Sequence, residues 1–273
     1  MRRLFWWLSW VLACFPFLVH AETGFGLRFL VDDTLGEPVA MRQRLESWVI
    51  ALNRYYRNSQ VDLHARIVEV AFVPIPAREA VEILEAMSGE RDGFVDLFAG
   101  ARRVGADFSV AVTGGLRMNG KPGCGRAVAV NKTREELASL QKSLMVMHPA
   151  CGAHTLAHEL GHLMGLNHGA LVDVCEPGKR HAVASAPYAN GFGVGNCDGR
   201  LQPGEFGDIM VGGWMGRIAG NDKASLPFFS NPRLHDPRCG EQGICGDPAI
   251  GDAARALNEN APFFTGKRLR GEY

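Results

Sequence analysis

The sequence predicts an α+β fold in which helices are layered on a sheet in the first half and a small, irregular second half follows. Strand and helix patterns alternate from residue 26 to residue 112, as helices layered on a sheet require. One more helix pattern lies around residue 158, and residues 173–227 are rich in glycine and lack periodicity. The second half is therefore expected to contain little regular structure.

The elements of the first half follow from the spacing of their apolar residues. Strands are predicted at residues 26–31, 61–72 and 108–112, and helices at residues 38–58, 77–87 and 93–103. In the first helix the apolar positions recur at spacings of three and four, namely Met41, Leu45, Trp48, Val49 and Leu52. Residues 123–130 are predicted to form an edge strand, which is an ordinary feature of a sheet unless something pairs with it.

The first 21 residues have the pattern of an export signal. Arg2 and Arg3 precede an apolar stretch at residues 4–19, and small residues stand before position 22. Pro16 interrupts that stretch, which is short for a spanning helix, so cleavage is favoured over a retained anchor and no stable membrane insertion is expected afterwards. Lipidation at Cys14 is a minor alternative, because apolar residues continue past it. The mature protein is expected in the periplasm or outside the cell.

Length and composition fit one domain at residues 22–273. Lysine and arginine together number 29, as do aspartate and glutamate, so the formal net charge is zero. This balance gives no argument for nucleic acid as a partner. A monomer is expected.

Six of the seven cysteines lie beyond the predicted signal, where an even number in an exported chain indicates disulfides. Six cysteines permit about fifteen complete pairings. Proximity favours Cys239 with Cys245; Cys175 with Cys197 and Cys124 with Cys151 are weaker pairings. Zinc coordination by cysteine is disfavoured because no two cysteines have the C-x-x-C spacing.

Residues 158–168 carry the pattern H-E-x-x-H-x-x-G-x-x-H. His158 and His162 are four apart, so on a helix they project from one face and are able to bind one ion. Gly165 is suited to the left-handed conformation after a helix end, and the turn then returns His168 as a third ligand. Three imidazoles leave the fourth tetrahedral position to water, which is typical of catalytic zinc. Glu159 is the candidate general base.

Ordinary core or surface histidines are the alternative interpretation of this pattern. A short H-E-x-x-H pattern alone is weak evidence. The extended pattern, however, fixes five residues and lies in an apolar helical context, with Leu156, Leu160, Leu163 and Met164. It also ends at the glycine that the geometry needs, so a catalytic zinc site is favoured.

Together these residues resemble the metzincin zinc endopeptidases. Residues 206–210 are similar to the Met-turn of that family, with Met210 in the place of its methionine. Residues 228–232 and 252–260 are similar to the closing segment of bacterial reprolysin-like enzymes, and the peptidyl-Asp metalloendopeptidases look nearest. One departure is Gly169, where reprolysin-like enzymes usually carry an aspartate.

The resemblance implies a metzincin-like fold with a twisted mixed sheet, an active-site helix, an upper subdomain at about 22–168 and a lower one at about 169–273. It implies that Met210 forms an apolar floor beneath the metal without coordinating it. It also implies that the edge strand holds an extended peptide substrate through backbone hydrogen bonds, at Gly125, Arg126 and Ala127.

Candidate substrate contacts beyond the edge strand are less specific. Phe228 and Phe229 are apolar candidates for the wall of the specificity pocket. An aspartate-selective pocket would need a nearby cation, for which Arg217 and Lys223 are available. Tyr188 is a candidate for stabilising the oxyanion, although a packing role is favoured.

A calcium ion is a further candidate cofactor, but the pattern does not favour it. Residues 196–199 and Glu205 match several positions of an EF-hand loop, whereas the first position is occupied by Val194. The single cofactor expected is therefore one catalytic Zn²⁺.

The predicted function is that of a secreted zinc-dependent endopeptidase acting on a protein or peptide substrate, with Glu159 as general base. Two alternatives stay open. A non-catalytic binding protein with a metzincin fold is disfavoured because a structural zinc has no use for Glu159. A zinc hydrolase of a non-peptide amide is disfavoured only by analogy.

Overall fold

The computed structural model describes residues 23–128, 133–175, 184–196, 198, 200–211 and 225–266 of the 273-residue chain. The predicted signal peptide, Cys14, Arg217 and Lys223 lie outside these residues. The strands are β1 (Thr23–Asp32), β2 (Leu63–Val73), β3 (Phe108–Val112), β4 (Arg117–Met118), β5 (Lys121–Pro122), β6 (Gly125–Ala127), β7 (Leu144–Met147), β8 (Gly193–Val194) and β9 (Phe206–Gly207). The helices are α1 (Pro38–Asn58), α2 (Ala80–Ser88), α3 (Leu97–Val104), α4 (Arg134–Ala138), α5 (Gly152–Leu163), α6 (Ala170–Cys175) and α7 (Ala253–Phe264).

Five strands form one mixed sheet in the order β2-β1-β3-β7-β6. The first four run parallel, and β6 pairs antiparallel with β7, with Gly125 opposite Met147 and Ala127 opposite Met145. Parallel strands are normally covered on both faces, and alternate residues of β1 bear this out. Phe29 packs in the core that includes α1, α5 and α7, whereas Leu30 packs in the core of α2 and α3.

Most of the predicted elements are confirmed. Helix α1 spans the predicted residues, and β1, β2, β3 and α2 lie within three residues of their predicted starts. The predicted helix at 93–103 is wrong in its first part, where residues 92–94 form a 3-10 turn. Asp96 then adopts a left-handed φ of 56° before α3 begins. The left-handed residue interrupts the helix, and Gly93 allows the turn to pack closely, since a Cβ there would lie 2.2 Å from the Pro74 carbonyl oxygen.

The later part of the chain returns to the main core. Helix α7 places Phe264 against Phe25 and Phe108, with ring centroids 6.4 and 5.9 Å apart. Between α6 and α7 the described segments hold only the short strands β8 and β9, as the glycine-rich composition predicts. No helix among the described residues has the length and apolar character needed to cross a bilayer.

Two of the predicted disulfides are confirmed. Cys124 is bonded to Cys151 and Cys239 to Cys245. The first joins the residue before β6 to the residue before α5, so the edge strand is tied covalently to the start of that helix. The predicted Cys175–Cys197 pair involves Cys197, which lies outside the described residues.

Candidate metal centre and peptide-binding edge

The turn after α5 brings three histidines together. The helix ends at Leu163, and Gly165 follows with a φ of 97°, in the left-handed region expected for it. A Cβ at Gly165 would lie 2.7 Å from Asn260 Nδ2 and 2.9 Å from Ser185 Oγ, so the tight turn also needs the space that glycine leaves. The chain then reverses and places His168 beside the helix.

The Nε2 atoms of His158, His162 and His168 lie 3.1 Å from one another in all three pairs. Within the described part of the chain, no other set of three or more histidine, cysteine or carboxylate side chains brings its ligand atoms close enough together to hold one metal ion. Tetrahedral zinc with Zn–N bonds of about 2.0–2.1 Å requires ligand nitrogens about 3.3–3.4 Å apart. The spacing therefore fits a single zinc ion.

The hydrogen bonds of the rings support the same interpretation. His158 Nδ1 lies 2.9 Å from the Ile209 carbonyl oxygen, and His162 Nδ1 lies 3.2 Å from that of Leu166. A carbonyl only accepts, so each Nδ1 carries the hydrogen and each Nε2 presents a lone pair. Burial lowers the pKa of His158 below its usual value, against the opposing effect of the Ile209 hydrogen bond. Lone pairs converging in this way suit a cation.

Glu159 lies where α5 meets the edge strand. Its side chain is only 8% exposed, and the Ala127 N–H donates to its carboxylate. Burial raises the pKa of Glu159 to about 7, while the Ala127 hydrogen bond and the positive charge of Arg126 oppose the rise. The contact depends on Gly125, since a Cβ there would lie 2.7 Å from Thr155 Cγ2 and 3.0 Å from Glu159 Cγ. Sequence spacing did not predict this packing.

One row of backbone groups of β6 faces away from the rest of the sheet, and the Ala127 N–H in that row donates to Glu159. His148 N donates to the Cys124 carbonyl at 2.8 Å, and Val128 N donates to the Leu144 carbonyl at 2.9 Å. In an antiparallel ladder, alternate residues bond to the same side. Gly125 and Ala127 therefore direct their backbone groups away from β7, towards the open edge and α5. Arg126 lines a groove of about 490 Å³ between this strand and α2.

Met210 lies directly beneath α5. It is fully buried, and a Cβ at Gly161 would lie 2.5 Å from its sulfur atom. The preceding turn is fixed by Asp208, whose carboxylate oxygens accept from Val211 N at 3.1 Å and from Ser230 N at 2.8 Å. Burial raises the pKa of Asp208 to about 7, and these hydrogen bonds oppose the rise. Sequence analysis missed Asp208, because no local pattern indicates that it is buried.

The structure places Phe228 and Phe229 in apolar cores, contrary to the prediction that they form the wall of the specificity pocket. Phe229 is fully buried and stacks on Tyr56 in the main core, with ring centroids 5.7 Å apart. Phe228 is 2% exposed and packs in a small core around the Cys239–Cys245 disulfide. Both rings are held in cores, so neither is presented to the open edge of β6.

Tyr188 and the calcium-like loop are both held by local contacts. The Tyr188 hydroxyl donates to Glu259, and Arg255 lies 4.0 Å above the centre of its ring. This arrangement supports the packing interpretation of Tyr188. In the loop, Asn196 N donates to Glu205 at 3.0 Å, and Asp198 N donates to Asn196 at 3.1 Å.

Comparison with known families identifies the class to which this site belongs. Residues 17–195 match the Reprolysin_5 model of the metallo-peptidase family M12. The chain is therefore a member of the M12 metallopeptidases, and the metzincin resemblance drawn from its sequence is confirmed.

A curated relative lies within the predicted subgroup. Over 115 residues the chain is 36% identical to the peptidyl-Asp metalloendopeptidase of Pseudomonas aeruginosa. The match covers 41% of this chain and only 17% of the length of that relative.

Two solved structures are similar to the chain. One, described as the structure of a chaperone-substrate complex, matches 93% of this chain and 36% of that one with a TM-score of 0.63 and 19% identity, so the two share a fold. The other is metalloproteinase-II from Bacteroides fragilis, with a TM-score of 0.38 and 15% identity over 54% of this chain and 44% of that one.

Proposed function

We propose that this chain is an exported zinc-dependent endopeptidase. The observation that carries the proposal is the convergence of three histidine Nε2 atoms at 3.1 Å from one another, next to the buried carboxylate of Glu159. His158, His162 and His168 would hold the ion, and Met210 would form the apolar floor beneath it. Zinc held there supplies a Lewis acid that polarises the scissile carbonyl and makes water a stronger nucleophile near neutral pH.

The protein's own groups position and move the proton. Glu159 accepts it from the attacking water and returns it to the leaving amine, as a general base and then a general acid. The Ala127 N–H orients the carboxylate, and burial keeps its pKa within reach of neutral pH. Ile209 and Leu166 hold the rings of His158 and His162 through their Nδ1 atoms.

The substrate is an extended peptide that pairs with the open edge of β6. The Gly125 N–H and carbonyl and the Ala127 carbonyl would bind it in register without reading its side chains, since the Ala127 N–H is taken by Glu159. The name of the Pseudomonas relative supports aspartate beside the scissile bond. Export is supported by the Cys124–Cys151 and Cys239–Cys245 disulfides, since such bonds persist in oxidising compartments.

Hydrolysis of denatured casein by the purified, zinc-loaded protein tests the proposal. Cleavage should stop with a chelator. It should fall about 100–10,000-fold in Glu159→Gln, the range expected for loss of a general base. Zinc content measured by atomic absorption should be retained in this variant. A folded, zinc-loaded wild type that leaves casein and aspartate-containing peptides intact would refute the proposal.

A further inference from the structure

The first turn of α5 carries a polar pair that the proposed mechanism does not use. His154 Nε2 lies 2.6 Å from the Ser225 hydroxyl oxygen, and both side chains are partly buried. His154 is four residues before His158, so the two imidazoles project from the same side of the helix, about 6 Å apart along its axis. The pair therefore lies one helical turn from the candidate metal centre.

Ser225 begins a segment, residues 225–228, that is fixed to the centre by backbone contacts. Ser225 forms a parallel bridge with Gly207, and Leu226 N donates to the Gly207 carbonyl at 2.8 Å. Ile209 N then donates to the Phe228 carbonyl, and the Ile209 carbonyl in turn binds His158. We call residues 225–228 the wall segment. Its position relative to the histidines is set by this ladder.

The edge strand contacts α5 at the residues that directly follow His154 and His158. Gly125 packs over Thr155, in the same turn as His154, while Ala127 bonds to Glu159, in the same turn as His158. Antiparallel pairing is slightly more stable than parallel pairing, so a bound peptide should run opposite to β6. With the scissile bond beside Glu159, the residue that follows it lies at the Gly125 end, beside the turn of α5 that carries His154.

We propose that the Ser225 hydroxyl, held in place by His154, is the contact that selects aspartate after the scissile bond. The inference rests on the proposed function and names the residues behind its specificity. With the proton on Nε2, His154 donates to Ser225 Oγ, and the hydroxyl hydrogen is then directed to an incoming acceptor. A carboxylate accepts it in a charge-assisted bond, stronger than the bond an asparagine side chain would form. This hydroxyl therefore takes the part that the sequence analysis gave to a cation, for which Arg217 and Lys223, outside the described residues, were the candidates. His154 is thus a positioning residue.

Two peptides that differ only in aspartate or asparagine at this position test the inference. The readout is the ratio of their kcat/KM values, which a purely structural defect would leave unchanged. Ser225→Ala and His154→Leu should each lower this ratio about 10–100-fold, the range for a hydrogen bond to a charged group. His154→Gln keeps a donor and should restore part of the ratio.

Ser47→Ala, an exposed hydroxyl on α1, is the matched control and should keep the wild-type ratio. Thermal melting and zinc content show whether each variant is folded and loaded. If one fails to fold, the ratio in the other decides. An unchanged ratio in a folded Ser225→Ala or His154→Leu overturns the inference while the proposed function stands. A wild type that cleaves neither peptide and leaves casein intact overturns both.

Discussion

Replacing Gly169 tests why this chain has glycine after the third histidine, where similar enzymes carry an aspartate. A Cβ at this position would lie 2.2 Å from the Gly191 carbonyl oxygen and 2.8 Å from its carbon. Both are backbone atoms, so no side-chain rotation relieves the contact. Gly169→Ala should therefore destabilise the protein, and Gly169→Asp should destabilise it further rather than restore support for the site.

The loss in the free energy of unfolding follows from the segment around Gly191, which must move to admit the Cβ. Overpacking in a closely packed region costs about 1–3 kcal/mol. The opposing segment is held by Asn167 N donating to the Ala189 carbonyl at 3.0 Å and Gly191 N donating to the Asn167 carbonyl at 2.9 Å. Losing both bonds adds about 1 kcal/mol each. The expected loss of about 3–5 kcal/mol lowers the Tm by about 6–20 °C in a chain of this size.

Thermal unfolding followed by circular dichroism, on zinc-loaded protein, measures this loss. Gly24→Ala is the matched control, since Gly24 is exposed and a Cβ there would meet only the His64 carbonyl oxygen, at 3.9 Å. It should leave the Tm nearly unchanged. A Gly169→Ala protein that melts with the wild type and retains its zinc would refute the packing argument.

Two further predictions concern stability. Replacing both Cys124 and Cys151 with serine should lower the free energy of unfolding by about 3.5 kcal/mol, and replacing both Cys239 and Cys245 should lower it by about 2 kcal/mol. The first bond closes the longer loop, since its cysteines are 27 residues apart and those of the second bond are 6 apart. Urea unfolding of the two double variants should show this order, and the reverse order would contradict it. Burial raises the pKa of Asp208 from 3.8 to about 7, so its contribution is complete below about pH 3.8 and is lost as the pH rises through 7. In chelator-treated protein, melting between pH 5 and 8 should therefore be flatter for Asp208→Asn than for the wild type, and parallel curves would contradict this.

The spacing of apolar residues predicted those helices and strands that have one buried and one exposed side. Helix α1 buries Met41, Leu45 and Leu52 on one side and exposes Ile50 on the other, so its pattern is visible in the sequence. Strand β7 was not predicted, because all four of its residues are buried and the run is too short to show a period. The strand order was also beyond local patterns, since it pairs β7 with β3, more than thirty residues earlier in the chain.

The candidate site likewise has residues that the sequence predicted and contacts that it did not. The three histidines and Glu159 were predictable because their spacing within one helix and turn carries the geometry. The contact between His154 and Ser225 joins residues 71 positions apart, and no local pattern indicates it. Phe228 and Phe229 illustrate the opposite error, because an apolar ring suits a pocket wall and a core equally well in sequence.

Helix α7 has a consequence for when the candidate metal site is completed during synthesis. Asn260 Nδ2 donates at 2.9 Å to the carbonyl of Met164, within the turn that returns His168 to the other two histidines, and at 2.9 Å to Ser185 Oγ beside that turn. Met164 precedes this asparagine by 96 residues. When all three histidines of a nascent chain have left the ribosome, the chain still lacks the Asn260 side chain that braces their turn. The ligand set is therefore braced only after α7 has been made, which delays a fully supported site until the core of the domain closes.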